Sequence, residues 1–142
     1  MEMNDKAFYE PVGNNTEVAL LKFLQRAEIP VHEQMRQKYG YVEASIPFST
    51  IRKTSAVAMH YPNEDKVKIF VKGAPETIVL NCTSTYDEAG ECMFLDDEYQ
   101  NEILADTVDK EFTQKSLRVL AFAYKEYRKA EFDELKRNHN NF

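Results

Sequence analysis

Apolar and polar side chains alternate from Lys66 to Val71, with Val67, Ile69 and Val71 on one side of the pleat and Lys66, Lys68 and Phe70 on the other. That is the pattern of a strand with one buried face. It breaks at Lys72-Gly73, and Pro75 suits the first turn of a helix running through Thr77, Ile78, Val79 and Leu80. Lys72 is thus predicted at a strand end, beside a residue with no Cβ.

The preceding segments supply strand partners. Tyr41 to Phe48 reads as a strand interrupted by Pro47, which implies an edge, a bulge or a bend, after which Phe48 leaves the strand. Ser49 to Thr54 is a polar basic turn, and Ser55 to Tyr61 is a second strand with Val57, Met59 and Tyr61 on one face. The turn Pro62 to Asp65 folds it back onto the next strand. Antiparallel pairing then brings Lys53 and Lys72 to the same end of the sheet, with Phe48 near them. Further upstream, Asn14 or Asn15 caps a helix from Glu17 to about Ala27; Pro30 ends that segment and starts a short polar helix, His32 to Tyr39, which Gly40 stops. Residues 1 to 11 carry no periodicity.

Downstream, Thr83 to Tyr86 and Glu91 to Leu95 read as a hairpin around Asp87-Glu88-Ala89-Gly90. Asp96 or Asp97 caps a helix that extends to Phe112. Leu117 to Tyr124 alternates as a long central strand that carries Arg118, and Ala130 to Arg137 forms a short helix. Helix hairpins mixed with antiparallel strands give an α+β class: an antiparallel β-sheet flanked by helical hairpins, in a single domain spanning residues 1–142.

Composition narrows the function. The 142 residues are 43% hydrophobic and 30% charged, as in a soluble globular protein, and no apolar run approaches the roughly 18 residues of a membrane span. The net charge of −6 argues against a nucleic-acid binder, so any anion site is local. Cys82 and Cys92 are too few for a disulfide scaffold, and a reduced pair flanking the hairpin is expected. The four glycines are isolated, no phosphate-cradling or hydrolase motif occurs, and self-contained catalysis is not expected.

What remains is a dispersed set: Glu17, Phe48, Lys53, Lys72 with Gly73, and Arg118. An aromatic ring can stack on a purine, Lys72 can close over the base or reach toward phosphate, Glu17 can accept from an exocyclic amine, and Arg118 can face ribose or phosphate. Each has a plainer reading: Phe48 as core, Lys72 as a solvated strand-end lysine, Glu17 as a first-turn acid favoured by the helix dipole, Arg118 as an ion-pair partner.

Four segments in order decide between them. Val12-Gly13-Asn14-Asn15-Thr16-Glu17-Val18-Ala19-Leu20, Pro47-Phe48-Ser49-Thr50-Ile51-Arg52-Lys53, Phe70-Val71-Lys72-Gly73-Ala74-Pro75-Glu76 and Leu117-Arg118-Val119-Leu120-Ala121 are similar to the G-x-x-T-E-x-A-L, P-F-x-S-x-R-K, K-G-A-P-E and L-R-x-L-A segments of one family. Across most of its length the chain resembles the nucleotide-binding (N) domain of P-type cation-pumping ATPases, most of all the calcium pumps of plasma-membrane type.

The resemblance implies a nucleotide site of Glu17, Phe48, Lys53, Lys72, Gly73, Ala74, Arg118 and Leu120, with no catalytic or metal-ligating residue in the chain. Phe48 would stack on adenine, Lys72 line the base pocket, Glu17 contact the adenine amine, and Lys53 and Arg118 approach ribose and phosphates. It also implies ATP and ADP as ligands, with magnesium carried by the nucleotide, and the phosphorylation and actuator domains of a parent pump as partners. The D-K-T-G aspartate that accepts the γ-phosphate in that family is absent from the sequence, so the chain is expected to be a cytoplasmic piece of an integral membrane protein. As such it would be monomeric, without membrane contact of its own, and would bind ATP without turning it over. Two departures bear on the contacts: Thr50 stands where some relatives carry a basic residue, and Ser55 where a methionine often packs beside adenine. The competing expectation is an interaction or regulatory domain of the same fold that does not bind nucleotide.

Overall fold

The computed structural model describes residues 14–29 and 40–138. They fall in two compact units, Met1–Tyr39 and Gly40–Phe142. In the first, helix α1 (Asn15–Arg26) begins where the Asn14 side chain accepts a hydrogen bond from the Glu17 backbone N–H at 2.9 Å. This cap satisfies one of the donors that a helix start leaves open. The expected helix at residues 32–39 lies outside the described residues.

The second unit is built on a four-stranded antiparallel sheet in the order β1-β2-β3-β6. Its strands are β1 (Tyr41–Ser49), β2 (Thr54–Tyr61), β3 (Lys66–Gly73) and β6 (Ala121–Arg128). Between β3 and β6 come the short helix α2 (Pro75–Val79), the hairpin β4 (Ser84–Tyr86) and β5 (Cys92–Phe94), and helix α3 (Asp97–Glu102), capped by the Asp96 carboxylate. Helix α4 (Lys129–Asn138) follows β6 directly. The strands expected from residue 41 onward are thus present, within a few residues of where the pattern puts them.

The inner face of the sheet carries the core. Val67 and Phe132 are fully buried, Ala58 is nearly so, and Ala44, Ile69 and Tyr127 pack against them. Lys129 of α4 pairs with Glu43 of β1 at 2.9 Å, tying the helix across the sheet. On β2 the small residues Ala56 and Ala58 face inward, so Val57, Met59 and Tyr61 lie on the opposite, open face. At the far end of that strand, Gly40 has φ +100°, and a Cβ there would stand 2.0 Å from the His60 carbonyl oxygen. Only glycine fits this approach.

Several expectations need correction. The strand expected at Leu117 to Tyr124 starts at Ala121 and runs to Arg128, and it is an edge rather than a central strand of the described sheet. Its partner β3 ends at Gly73, opposite Ala121, and Pro75 then turns the chain into α2. Residues 117–120 therefore have no ladder to join, and Arg118 and Leu120 lie in the irregular segment that precedes β6. The helix expected through Phe112 is α-helical only to Glu102. From Ile103–Phe112 it is a wider π-helix, ending where the Thr113 N–H reaches the Val108 carbonyl; the apolar spacing carries no sign of this widening. Cys82 and Cys92 are free thiols, in line with the reduced pair expected. Cys92 pairs with Tyr86 across the hairpin, whereas Cys82 lies before it, so the two are not neighbours in the ladder.

Candidate functional site

Strand register places the candidate residues. Ser55 pairs with Lys72, and Lys72 with Phe122, so these three side chains share one rung of the open face. Cross-strand partners of this kind project to the same side. On β1, Ile46 pairs with Ala56 and Ser49 with Thr54, which leaves Pro47 and Phe48 together opposite Ser55. Two residues facing one is a β-bulge. Proline, with no N–H for the ladder, belongs at such an edge-strand irregularity.

The bulge decides where Phe48 points. In an unbroken strand Phe48 would share the inner face with Ala44 and Ile46; with one extra residue before Ser49, it joins the open face beside Ser55 and Lys72. There it is 61% exposed, so the plainer reading of a core phenylalanine does not hold. Phe48 also remains within β1 rather than leaving it, as the broken pattern had suggested. The Arg52 guanidinium donates to the Pro47 carbonyl at 2.9 Å and braces the bulge from the turn.

Lys53 sits at the same end of the sheet as Lys72, as antiparallel pairing requires. It is left-handed (φ 55°), its N–H donates to the Ser49 carbonyl at 2.7 Å, and its own carbonyl accepts from the Ala74 N–H at 3.1 Å. Its ammonium pairs with Glu76 of α2 at 3.1 Å, with both side chains more than half exposed. Hydrogen bonding to its own backbone N–H at the helix start, and then Lys53, hold the Glu76 carboxyl below the usual carboxylate range. An exposed pair of this kind is worth roughly 0–1 kcal/mol, so an incoming anion can displace Glu76.

Gly73 is buried, and a Cβ there would meet the Lys53 carbonyl oxygen at 2.4 Å and the Thr54 Cγ2 at 2.7 Å. The missing side chain makes room for the backbone of β2, a reason distinct from making room for a ligand. Ala74 follows as the N-cap of α2. Arg118 and Leu120 approach the Gly73 end from the segment before β6. Glu17 lies in the first turn of α1, within the first unit.

Further along the open face, several side chains contact one another. Phe70 and Tyr124, one rung further along, are in ring contact at 6.1 Å, and the Tyr124 hydroxyl hydrogen-bonds that of Tyr86 on the hairpin. Lys68 pairs with Glu126 at 2.7 Å, and its ammonium lies near the Tyr61 and Tyr124 rings. That contact raises the Lys68 pKa and lowers that of Glu126. Two open clefts, one between the α2–β4 connection and the start of α3 and one between β6 and α4, include none of Phe48, Lys53 or Lys72. Phe48 is 61% exposed and the Lys53 side chain more than half exposed, so these two candidate residues stand at the surface of the sheet. Phe122, which shares the Lys72 rung, escaped sequence reasoning: its alternation was visible, but its neighbour depends on β3 pairing with β6. Among the described residues no cluster of three or more His, Cys, Asp or Glu side chains is placed to hold a metal ion, and no helix is long and apolar enough to cross a membrane.

Known proteins give this arrangement a context. The family described as P-type ATPase, cytoplasmic domain N, matches residues 1–142. Calcium-transporting ATPase 1 of Lactococcus lactis is 31% identical over 125 residues, 86% of this chain and 13% of that protein. A putative calcium-transporting ATPase 7, plasma membrane-type, of Arabidopsis thaliana is 31% identical over 123 residues, 86% of this chain and 12% of that protein. A calcium-transporting ATPase of Listeria monocytogenes is 35% identical over 119 residues, 80% of this chain and 12% of that protein. The chain thus spans about an eighth of the length of the curated relatives it matches. With a match over residues 1–142 and a four-stranded antiparallel sheet in its second unit, the chain belongs to the P-type ATPase cytoplasmic domain N family.

Proposed function

We propose that the chain binds ATP on the open face of its sheet and presents the γ-phosphate to a phosphorylation domain carried elsewhere in a calcium-transporting pump. The observation that carries this reading is the bulge at Pro47-Phe48, which sets an exposed aromatic ring on the same face and rung as Lys72, at the end of the sheet where Lys53 also stands. An aromatic surface beside cations suits a planar base with a polyanionic tail. In this reading Phe48 stacks on adenine and Lys72 lines the base. Lys53, exchanging Glu76 for phosphate, acts with Arg118 on the ribose and phosphates. Gly73, Ala74 and Leu120 border the base. The chemistry asked of these groups is binding and orientation; phosphoryl transfer needs the aspartate of another domain. The calcium-transporting relatives support calcium as the parent's cargo.

Titration of the chain with ATP and ADP, followed by calorimetry and amide NMR, tests this. Weak binding is expected, little changed by magnesium because contacts to the far phosphates belong to another domain, with shifts centred on Phe48 and Lys72 and loss of binding in Phe48→Ala. Absence of shifts at those residues, or unchanged binding by Phe48→Ala, would sink the proposal.

A further inference from the structure

We infer that Phe122 forms the second wall of the base site. A purine would lie over Ser55 and the Lys72 stem, between the rings of Phe48 and Phe122, and the site therefore selects purine over pyrimidine nucleotides. This rests on the nucleotide reading of the open face.

The register carries the inference. Pro47-Phe48, Ser55, Lys72 and Phe122 cross the sheet on one rung, an aromatic residue on each edge strand and two slender side chains between. Three strand spacings separate β1 from β6, about 14 Å at the backbone. Two aromatic separations at the wide end of the roughly 4.5–7 Å range sum to that span, so one planar ring reaches both others where the side chains lean inward over the shorter residues between them. Ser55 leaves the floor low where a longer side chain would fill the gap.

Exposure points the same way. Phe122 is 59% exposed and Phe48 61%, and neither makes a ring contact with another described aromatic residue. The next rung is different, because there Phe70 and Tyr124 contact one another and the Tyr124 hydroxyl is hydrogen-bonded to that of Tyr86. Phe122 thus stands beside that rung with more than half of its surface exposed. Lys72 between the two rings adds a cation near their faces and near that of the base.

The test titrates the 142-residue chain and its Phe48→Ala, Phe122→Ala and Phe122→Tyr variants with ATP and with UTP. Phe122→Ala is expected to weaken ATP about tenfold and UTP less, narrowing the preference between them, while Phe122→Tyr keeps both. Its urea midpoint should stay near wild type, since the ring is exposed. If Phe122→Ala holds ATP as wild type does while Phe48→Ala loses it, the second wall is overturned and the nucleotide site stands. Equal losses for ATP and UTP would also overturn it, because a wall for the base must discriminate bases. If wild type itself binds no ATP, the nucleotide reading fails and this inference with it.

Discussion

Gly73 illustrates what one residue can and cannot say in a sequence. Its place after an alternating strand and before Pro75 marks a stop, and a ligand approaching the backbone is one reason for a glycine there. The contacts supply another: a methyl group would press on the Lys53 carbonyl oxygen at 2.4 Å and on Thr54. Both are held by the β2–β3 ladder, in which Thr54 pairs with Gly73, so relief needs backbone movement. Gly73→Ala is accordingly expected to lower stability by about 1–3 kcal/mol, read as a fall in the urea midpoint with an unchanged slope. An unchanged midpoint would show that the strands separate without cost. Phe48 teaches the complementary lesson: its aromatic character is in the sequence, but its face depends on one extra residue in β1, counted only against β2.

At the scale of elements, periodicity identified strands and helices because it reflects local geometry. It was least informative at β6, where alternation from Leu117 gave no sign that the ladder begins at Ala121. Pairing is set by where β3 ends, many residues away. The β3–β6 ladder also makes a testable contribution through Lys68 and Glu126, paired at 2.7 Å. The hydrogen bond from Lys68, followed by the attraction of Lys68 and Lys66, keeps the Glu126 carboxyl below its usual 4.5. A depressed carboxylate pKa contributes stability that is complete above the unfolded value and disappears as pH falls through the folded one. Denaturation measured from pH 7 to pH 3 should therefore show wild type losing stability below about 4.5, with a shallower loss in Glu126→Gln. Parallel acid limbs in the two proteins would remove this pair from the account.

For the whole molecule, the expected consequence is a binding surface without chemistry. The chain has no D-K-T-G segment, the segment whose aspartate serves as the nucleophile for phosphoryl transfer in the proposed reading. Incubated with ATP and magnesium, the 142-residue chain is expected to release no phosphate above buffer and to acquire no phosphorylated residue; measurable turnover by purified protein would contradict this. The sequence by itself determined the α+β class, the order of the strands along the chain, the stop at Gly73-Pro75 and the four motifs by which its family is recognised. Those features are local, written in side-chain period, turn chemistry and spacing. Only the tertiary structure decided that β1 and β6 are the edges of the described sheet, that Pro47 turns Phe48 outward, that Lys53 pairs with Glu76, and that Phe122 stands beside Lys72. Each depends on register between strands distant in sequence, and a shift of one residue in that register exchanges the two faces of a strand.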